Sequence, residues 1–286
     1  MPEQTLDPER VRREQREFWN AAAPGWKQMF ILLDRAAQHV SDRIVELAKI
    51  KPGDRVLDIA TGSGEPGITA ARKVGASGSV VATDMSPAML ALARDRATAL
   101  GISNIRFVET GAEALAIDER DFNAIVCRWG LMFVPDLNLA ARRIYELLAK
   151  GGGFATAVWG APEKVPMISL GDDATRELAK LPPPPPGAPH PLRLADHRPL
   201  QQALAAAGFK DIVVEPLNVA FEWESAEGFT EQRRAMSSPF RALLANQTPE
   251  LQKKILDAVT DAARKYADAT GRVKMNNETV CIAACK

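Results

Sequence analysis

The sequence predicts a doubly wound α/β fold with a mostly parallel sheet, and three observations carry that prediction. Between residues 54 and 160, short apolar β-rich runs alternate with longer stretches of helical period, the pattern of parallel strands covered by helices. Two of those helices open with a proline at their start, Pro66 and Pro87, where the missing N–H costs nothing and the fixed φ suits the first turn. A glycine-rich turn, residues 61 to 67, directly follows the first strand.

Taken in order, residues 9 to 50 read as two or three amphipathic helices, with Phe18, Trp19, Trp26, Met29 and Phe30 gathered around a break at Pro24-Gly25. Residues 1 to 50 are therefore expected to form a helical lid, hinged near that dipeptide. Strands are predicted at Arg55 to Ala60, Ser79 to Thr83, Ile105 to Glu109, Phe122 to Arg128 and Gly153 to Trp159, with helices starting at Pro66, Pro87 and Asp136. The helix from Asp136 places Ala140, Ile144, Leu147 and Leu148 on one stripe and should stop at Lys150-Gly151-Gly152. Residues 161 to 198 form a proline-rich insertion, whose run from Pro182 to Pro186 forbids helix interior and central strand. Beyond it come a helix from Pro199 to Ala207 closed by Gly208, an extended run from Asp211 to Trp223, and two helices reaching about Ala269. The last of these puts Leu251, Ile255, Val259, Ala262 and Tyr266 on one face. A strand from Thr279 to Ala284 brings the predicted sheet to seven strands, all in a single domain over residues 1 to 286.

Composition narrows the function classes. With 46% hydrophobic and 25% charged residues the chain should fold around a full core. Thirty-six basic residues balance thirty-six acidic ones, which leaves no excess charge for a nucleic-acid backbone or for stable attachment to an anionic membrane. No run approaches the roughly 18 apolar residues of a membrane span, and MPEQTLDPERVRREQRE lacks the apolar core of a signal peptide, so a cytoplasmic location is expected. A small-molecule partner is expected, and a homodimer stays open. Cys127, Cys281 and Cys285 have no metal-binding spacing and read as buried thiols in strands; no metal site is predicted.

The chemistry is concentrated in VLDIATGSGEPGI, residues 56 to 68. Glycines at a strand-to-helix turn let backbone approach a ligand, and the helix start offers free N–H groups. Gly62, Gly64 and Gly67 satisfy a GxGxxG pattern, and Asp84 follows at the end of the next strand, where a carboxylate can accept from both hydroxyls of a ribose. A nucleoside cofactor is implied, and a dinucleotide would serve as well as any other. Asp58 separates the alternatives, because a charged residue at the end of the first strand is foreign to a dinucleotide turn.

The segment resembles motif I of class I S-adenosylmethionine-dependent methyltransferases, an acidic residue followed by x-G-x-G-x-G. Asp58, Gly62 and Gly64 match, while Ala60 stands in place of the first glycine, a mild departure if φ there is negative. VVATDMSPAML is similar to the next motif, which implies Asp84 on the ribose and Met85 against the adenine. In FVETGAEAL, the aspartate that often takes the adenine amino group is replaced by Gly111, so the resemblance passes that contact to backbone or to Glu113, next to Ala112. FNAIVCRWGLMFVPD would set Arg128 and Trp129 at the methionine end, and Ala60 and Thr61 belong to the cofactor turn. LLAKGGGFATAVW matches the glycine turn and fifth strand. The resemblance covers about residues 50 to 160, is nearest to the ubiquinone and menaquinone biosynthesis type, and implies a Rossmann-like methyltransferase fold with S-adenosyl-L-methionine as cofactor.

What it implies for activity is methyl transfer to a small, apolar or aromatic molecule, with the acceptor atom open. The candidates for a general base are His39, His190 and His197, with the insertion placing the last two on the chamber side. Two rival readings are an NAD-dependent oxidoreductase, which lacks a YxxxK signature here, and a non-catalytic cofactor-binding protein on the same fold.

Overall fold

The computed structural model describes residues 7–182, 187–236 and 238–286. Its five leading strands are β1 (Arg55–Ile59), β2 (Ser79–Asp84), β3 (Ile105–Glu109), β4 (Phe122–Arg128) and β5 (Leu148–Trp159). With β6 (Lys210–Trp223) and β7 (Val273–Cys285) they form one seven-stranded sheet in the order β3-β2-β1-β4-β5-β7-β6. Strands β1 to β5 pair in parallel, and β7 runs antiparallel to both β5 and β6. The central strands are covered on both faces, so β1 and β4 are almost wholly buried and read as continuous apolar runs rather than alternating ones. Strand order reverses between β1 and β4, which opens a crevice above their C-terminal ends.

The first half of the chain supplies helices α1 (Pro8–Leu47), α2 (Gly67–Val74), α3 (Pro87–Ala99) and α4 (Leu137–Leu147), of which α1 also packs on β5, β6 and β7. Their starts follow capping chemistry: the Ser86 hydroxyl accepts from the Met89 amide at 3.1 Å, and Asp136 accepts from the Leu139 amide at 2.9 Å. The second half carries α5 (Pro166–Ala179), α6 (Arg198–Ala207), α7 (Ala226–Met236), α8 (Ser238–Ala245) and α9 (Pro249–Arg264). No helix among the described residues is long and apolar enough to cross a membrane.

Several boundaries differ from the sequence expectation, each for a physical reason. The N-terminal region is one continuous 40-residue helix, with Pro24 inside it and no break at Pro24-Gly25. An interior proline costs about 3 kcal/mol, but α1 is anchored on both sides of it. Ala22 and Ala23 pack on Met89 before the proline and beside it, and Leu33, Ala37, Val40 and Ile44 enter the main core after it. Helix α4 ends at Leu147, ahead of Lys150-Gly151-Gly152, because the chain enters β5 at once. The glycines there serve close packing: a Cβ on Gly153 would lie 2.4 Å from the carbonyl oxygen of Ala48.

Three helices, not two, precede the last strand, and α9 buries Ile255, Val259 and Ala263; Ala262 is only partly buried and Tyr266 lies beyond its end, exposed. Strand β7 begins six residues early because the polar-looking Val273 to Glu278 stretch pairs fully with β6. Asn277 is buried there, donating to the carbonyls of Met275 and Val219 and accepting from the Met167 amide. In the insertion, α5 packs against α9, and Pro183 to Pro186 lie outside the described residues. Cys127 and Cys281 are buried in strands, and Cys285 is half-buried at the end of β7.

Candidate functional site

A cavity of about 650 Å³ occupies the crevice where strand order reverses. Its floor is the turn after β1. Thr61 N donates to the Thr83 carbonyl at 2.8 Å and Gly64 N to Thr61 O at 2.9 Å, so the turn is laced to β2 before α2 begins. Gly64 takes φ +107°, open to glycine alone among ordinary residues. The expectation of negative φ at Ala60 is not met: its φ is +55°, a left-handed conformation that costs an L-residue roughly 1–2 kcal/mol. Gly130 makes room for it, since a Cβ there would stand 2.6 Å from the Ala60 Cβ.

Asp58 does not form part of the cavity wall. It is fully buried beneath the turn, and its Oδ2 accepts from the Gly67 amide at 2.8 Å. A Cβ on Gly67 would lie 2.7 Å from that oxygen, which explains the third glycine. Burial pushes the Asp58 carboxyl up to about 8, against the lowering influence of Thr61 and the Gly67 amide. The Thr61 hydroxyl favours the ionised form from nearby but stands outside hydrogen-bond geometry, and both it and Asp58 Oδ1 are shielded without a partner.

Asp84 does reach the wall. Its Oδ2 accepts from Gly62 N and its Oδ1 from Ser86 N, both at 2.9 Å. Burial pushes it up to about 6 despite those amides. Two carboxylate oxygens, each held by one amide and keeping a further lone pair, suit the paired hydroxyls of a ribose. Met85, Ala112 and Gly111 continue the wall toward β3, where the place of a Gly111 side chain lies 3.7 Å from the Met85 methyl. Glu113 is buried and committed: Oε2 accepts from Arg12 Nε at 2.5 Å and Oε1 from Asp136 N at 2.7 Å.

At the end of β4, Arg128 and Trp129 line the opposite side. Arg128 donates to the Ser41 hydroxyl at 2.7 Å, joining the sheet edge to α1. Trp129 has φ +58°, unusual for a bulky residue. It is held by a 2.9 Å bond from its indole N–H to Thr279 and by stacking on Trp159 at 4.2 Å.

The roof is α1, and most of its contribution was not legible in the sequence. Trp19 meets Phe133 edge-on at 5.0 Å and Trp26 at 6.0 Å, making an aromatic wall. Asn20 accepts from the Ser86 hydroxyl at 2.7 Å, and Arg12 and Arg16 pair with Glu113 and Glu109. One signal could have found this: Arg12 and Arg16 share the four-residue spacing of Glu109 and Glu113. Glu65, also unforeseen, lies buried on the wall with Oε2 accepting from the Thr69 hydroxyl at 2.7 Å.

None of the three histidines lines the cavity. His39 is exposed, with Nε2 donating to the Asn218 carbonyl at 2.9 Å. His190 accepts the Leu192 amide at Nδ1, so Nε2 carries the proton it shares with Asp172 at 2.9 Å. His197 precedes α6, its Nδ1 shielded and without a partner. These positions correct the expectation that His190 and His197 face the chamber.

Comparisons with known proteins fit this geometry. A Ubiquinone/menaquinone biosynthesis C-methyltransferase UbiE from Xanthomonas oryzae is 39% identical over 109 residues, 38% of this chain and 43% of the relative. One from Legionella pneumophila is 33% identical over 148 residues, covering 51% and 59%. The chain thus spans about half the length of the curated relatives it matches. Among solved structures, the YcgJ protein of Bacillus subtilis has a TM-score of 0.54 at 18% identity, covering 87% of this chain and 98% of that one. A phosphoethanolamine N-methyltransferase 2 of Haemonchus contortus reaches 0.57 at 17% identity, covering 100% and 61%. These two resemblances show the shared fold. The sequence model of the ubiE/COQ5 methyltransferase family matches residues 26–168, from the anchored part of α1 through every turn that builds the cavity floor, and the chain belongs to that family.

Proposed function

We propose that this chain transfers a methyl group from S-adenosylmethionine to a small molecule with an apolar or aromatic body. One observation carries the reading: a single cavity joins the Asp84 carboxylate and the glycine turn to the aromatic wall of Trp19, Trp26 and Phe133. The donor set fits the cofactor, because Asp84 offers two acceptor oxygens for a diol and the glycine turn can bring backbone against the rest. When bound, S-adenosylmethionine supplies an electrophilic methyl on a sulfonium.

The work left to the protein is placement. Asp84 orients the nucleoside, the aromatic wall receives the acceptor, and α1 closes over both and keeps water out. No histidine lines the cavity, which favours an acceptor that reacts by proximity, such as an amine, a thiolate or an activated ring carbon, over one that needs an imidazole base. Balanced charge supports action on a free small molecule rather than on nucleic acid.

Calorimetry with S-adenosylhomocysteine tests the cofactor, with one site per chain at micromolar affinity as the expected result. Label transfer from S-adenosylmethionine to quinols, phenols, amines and thiols tests the reaction. Tight binding of NADH with none of S-adenosylhomocysteine would overturn the reading.

A further inference from the structure

We infer that Gln15, on α1, reads the amino group of the cofactor's adenine, so that the roof helix is itself part of the nucleoside site. This rests on the proposed cofactor. With the ribose on Asp84 at the end of β2 and the glycine turn on the β1 side, the base extends the other way, over Met85 and the segment after β3. An exocyclic amino group buried there needs an acceptor, or it loses its hydrogen bonds to water without return.

The segment after β3 offers little. Gly111 has no side chain, Thr110 Oγ1 already accepts from the Ala116 amide at 3.0 Å, and Glu113 is taken by Arg12 and Asp136. Glu109 is paired with Arg16. Those same ion pairs fix the register of the roof: Arg16 stands at Glu109 and Arg12 at Glu113, so α1 runs antiparallel to the segment. Gln15 lies on the same helical turn between the two arginines, as Gly111 lies between the two glutamates. It lines the cavity, and its Oε1 is shielded from solvent with no hydrogen-bond partner. A buried, unsatisfied acceptor lining the same cavity as Gly111, which offers no side chain, is what a ligand's donor would complete.

The test compares two probes in calorimetry: S-adenosylhomocysteine, and S-inosylhomocysteine, whose 6-oxo group replaces the amino donor with an acceptor. The wild type should prefer the adenosyl compound by about tenfold or more. Gln15→Ala should bring the two within about threefold of each other, and Gln15→Glu, which keeps an acceptor, should retain the preference. Because each ratio is taken within one variant, a general loosening of α1 cancels. Gln15→Ala with the wild-type ratio, or a wild type without preference, would overturn the assignment. Failure of the wild type to bind S-adenosylhomocysteine at all would instead bring down the cofactor reading beneath it.

Discussion

At its nucleoside end the cavity is made from the turns after β1, β2 and β3, each a few residues from the strand that positions it, whereas its roof and acceptor wall come from α1, the loop after β4 and their supports in the insertion. The first is held by backbone amides on carboxylates, at Asp58 and Asp84. The second is held by side chains reaching across long sequence separations, Arg12 to Glu113 and Arg128 to Ser41. Covalent neighbours keep the first set in place even when one contact is lost. The roof has no such constraint, so substitutions there, Gln15 apart, should act on the acceptor and on closure more than on the sheet.

The largest expected effect falls at the amide-held end. Asp84→Ala removes a charge-assisted contact worth about 1.5–3 kcal/mol, so the dissociation constant for S-adenosylhomocysteine should rise tenfold or more. The wild-type affinity should also depend on pH. Asp84 stands at about 6, above its ordinary 3.8, so in the ligand-free protein its ionisation costs stability as pH rises through 6. A bound diol donates to the ionised form, so affinity should climb over the same window, up to about tenfold per unit below 6. Calorimetry from pH 5 to 7.5 checks it, and a flat profile would break the assigned role.

Next in size is Trp19→Ala, which removes the centre of the aromatic wall against Phe133 and Trp26. Its loss should cost about 1–2 kcal/mol of acceptor binding, read as KM for the acceptor, with a smaller change for S-adenosylhomocysteine. Arg193 donates to the carbonyls of Val134 and Pro135, tying the insertion to the cavity wall. Arg193→Met should raise the acceptor KM a few-fold and leave cofactor affinity in place; equal losses in both would erase the contrast between the two ends.

The histidines should matter least for the reaction. Each His-to-Ala variant should keep turnover within about threefold, since none can reach a proton inside the cavity at hydrogen-bond distance. A hundredfold loss in one of them would point to assisted O-methylation. His190→Ala should still lower the melting temperature, having lost bonds to Asp172 and Leu192 worth about 1 kcal/mol each. The smallest effect is a gain: Ala60→Gly relieves a positive φ and should stabilise the chain by about 0.5–1 kcal/mol after glycine's entropy is counted.

The same contrast decides what the sequence revealed. Strands and turns of the nucleoside end depend on residues next to one another, so Asp58, Gly62, Gly64 and Asp84 announce themselves by spacing. The sign of φ at Ala60 was hidden, because it depends on the space left by Gly130 seventy positions later. Pro24 misled for a similar reason: local propensity argues for a break, and packing on Met89 and the sheet overrides it. Asn277 looks like loop chemistry until its partners Met167 and Val219 are in place. The roof residues Arg12, Gln15 and Arg16 lie in a stretch of alternating basic and acidic residues that carries no motif, and only the fold shows what lies opposite them.

Trp129, bent into a left-handed backbone and pinned by Thr279, shares the cavity with Trp19 and Trp26, so three of the five indoles in the chain line one cavity. The molecule therefore carries its own optical probe. Filling the cavity changes the surroundings of those three chromophores together, and intrinsic emission should report cofactor and acceptor binding in sequence, without a label and on the unmodified chain.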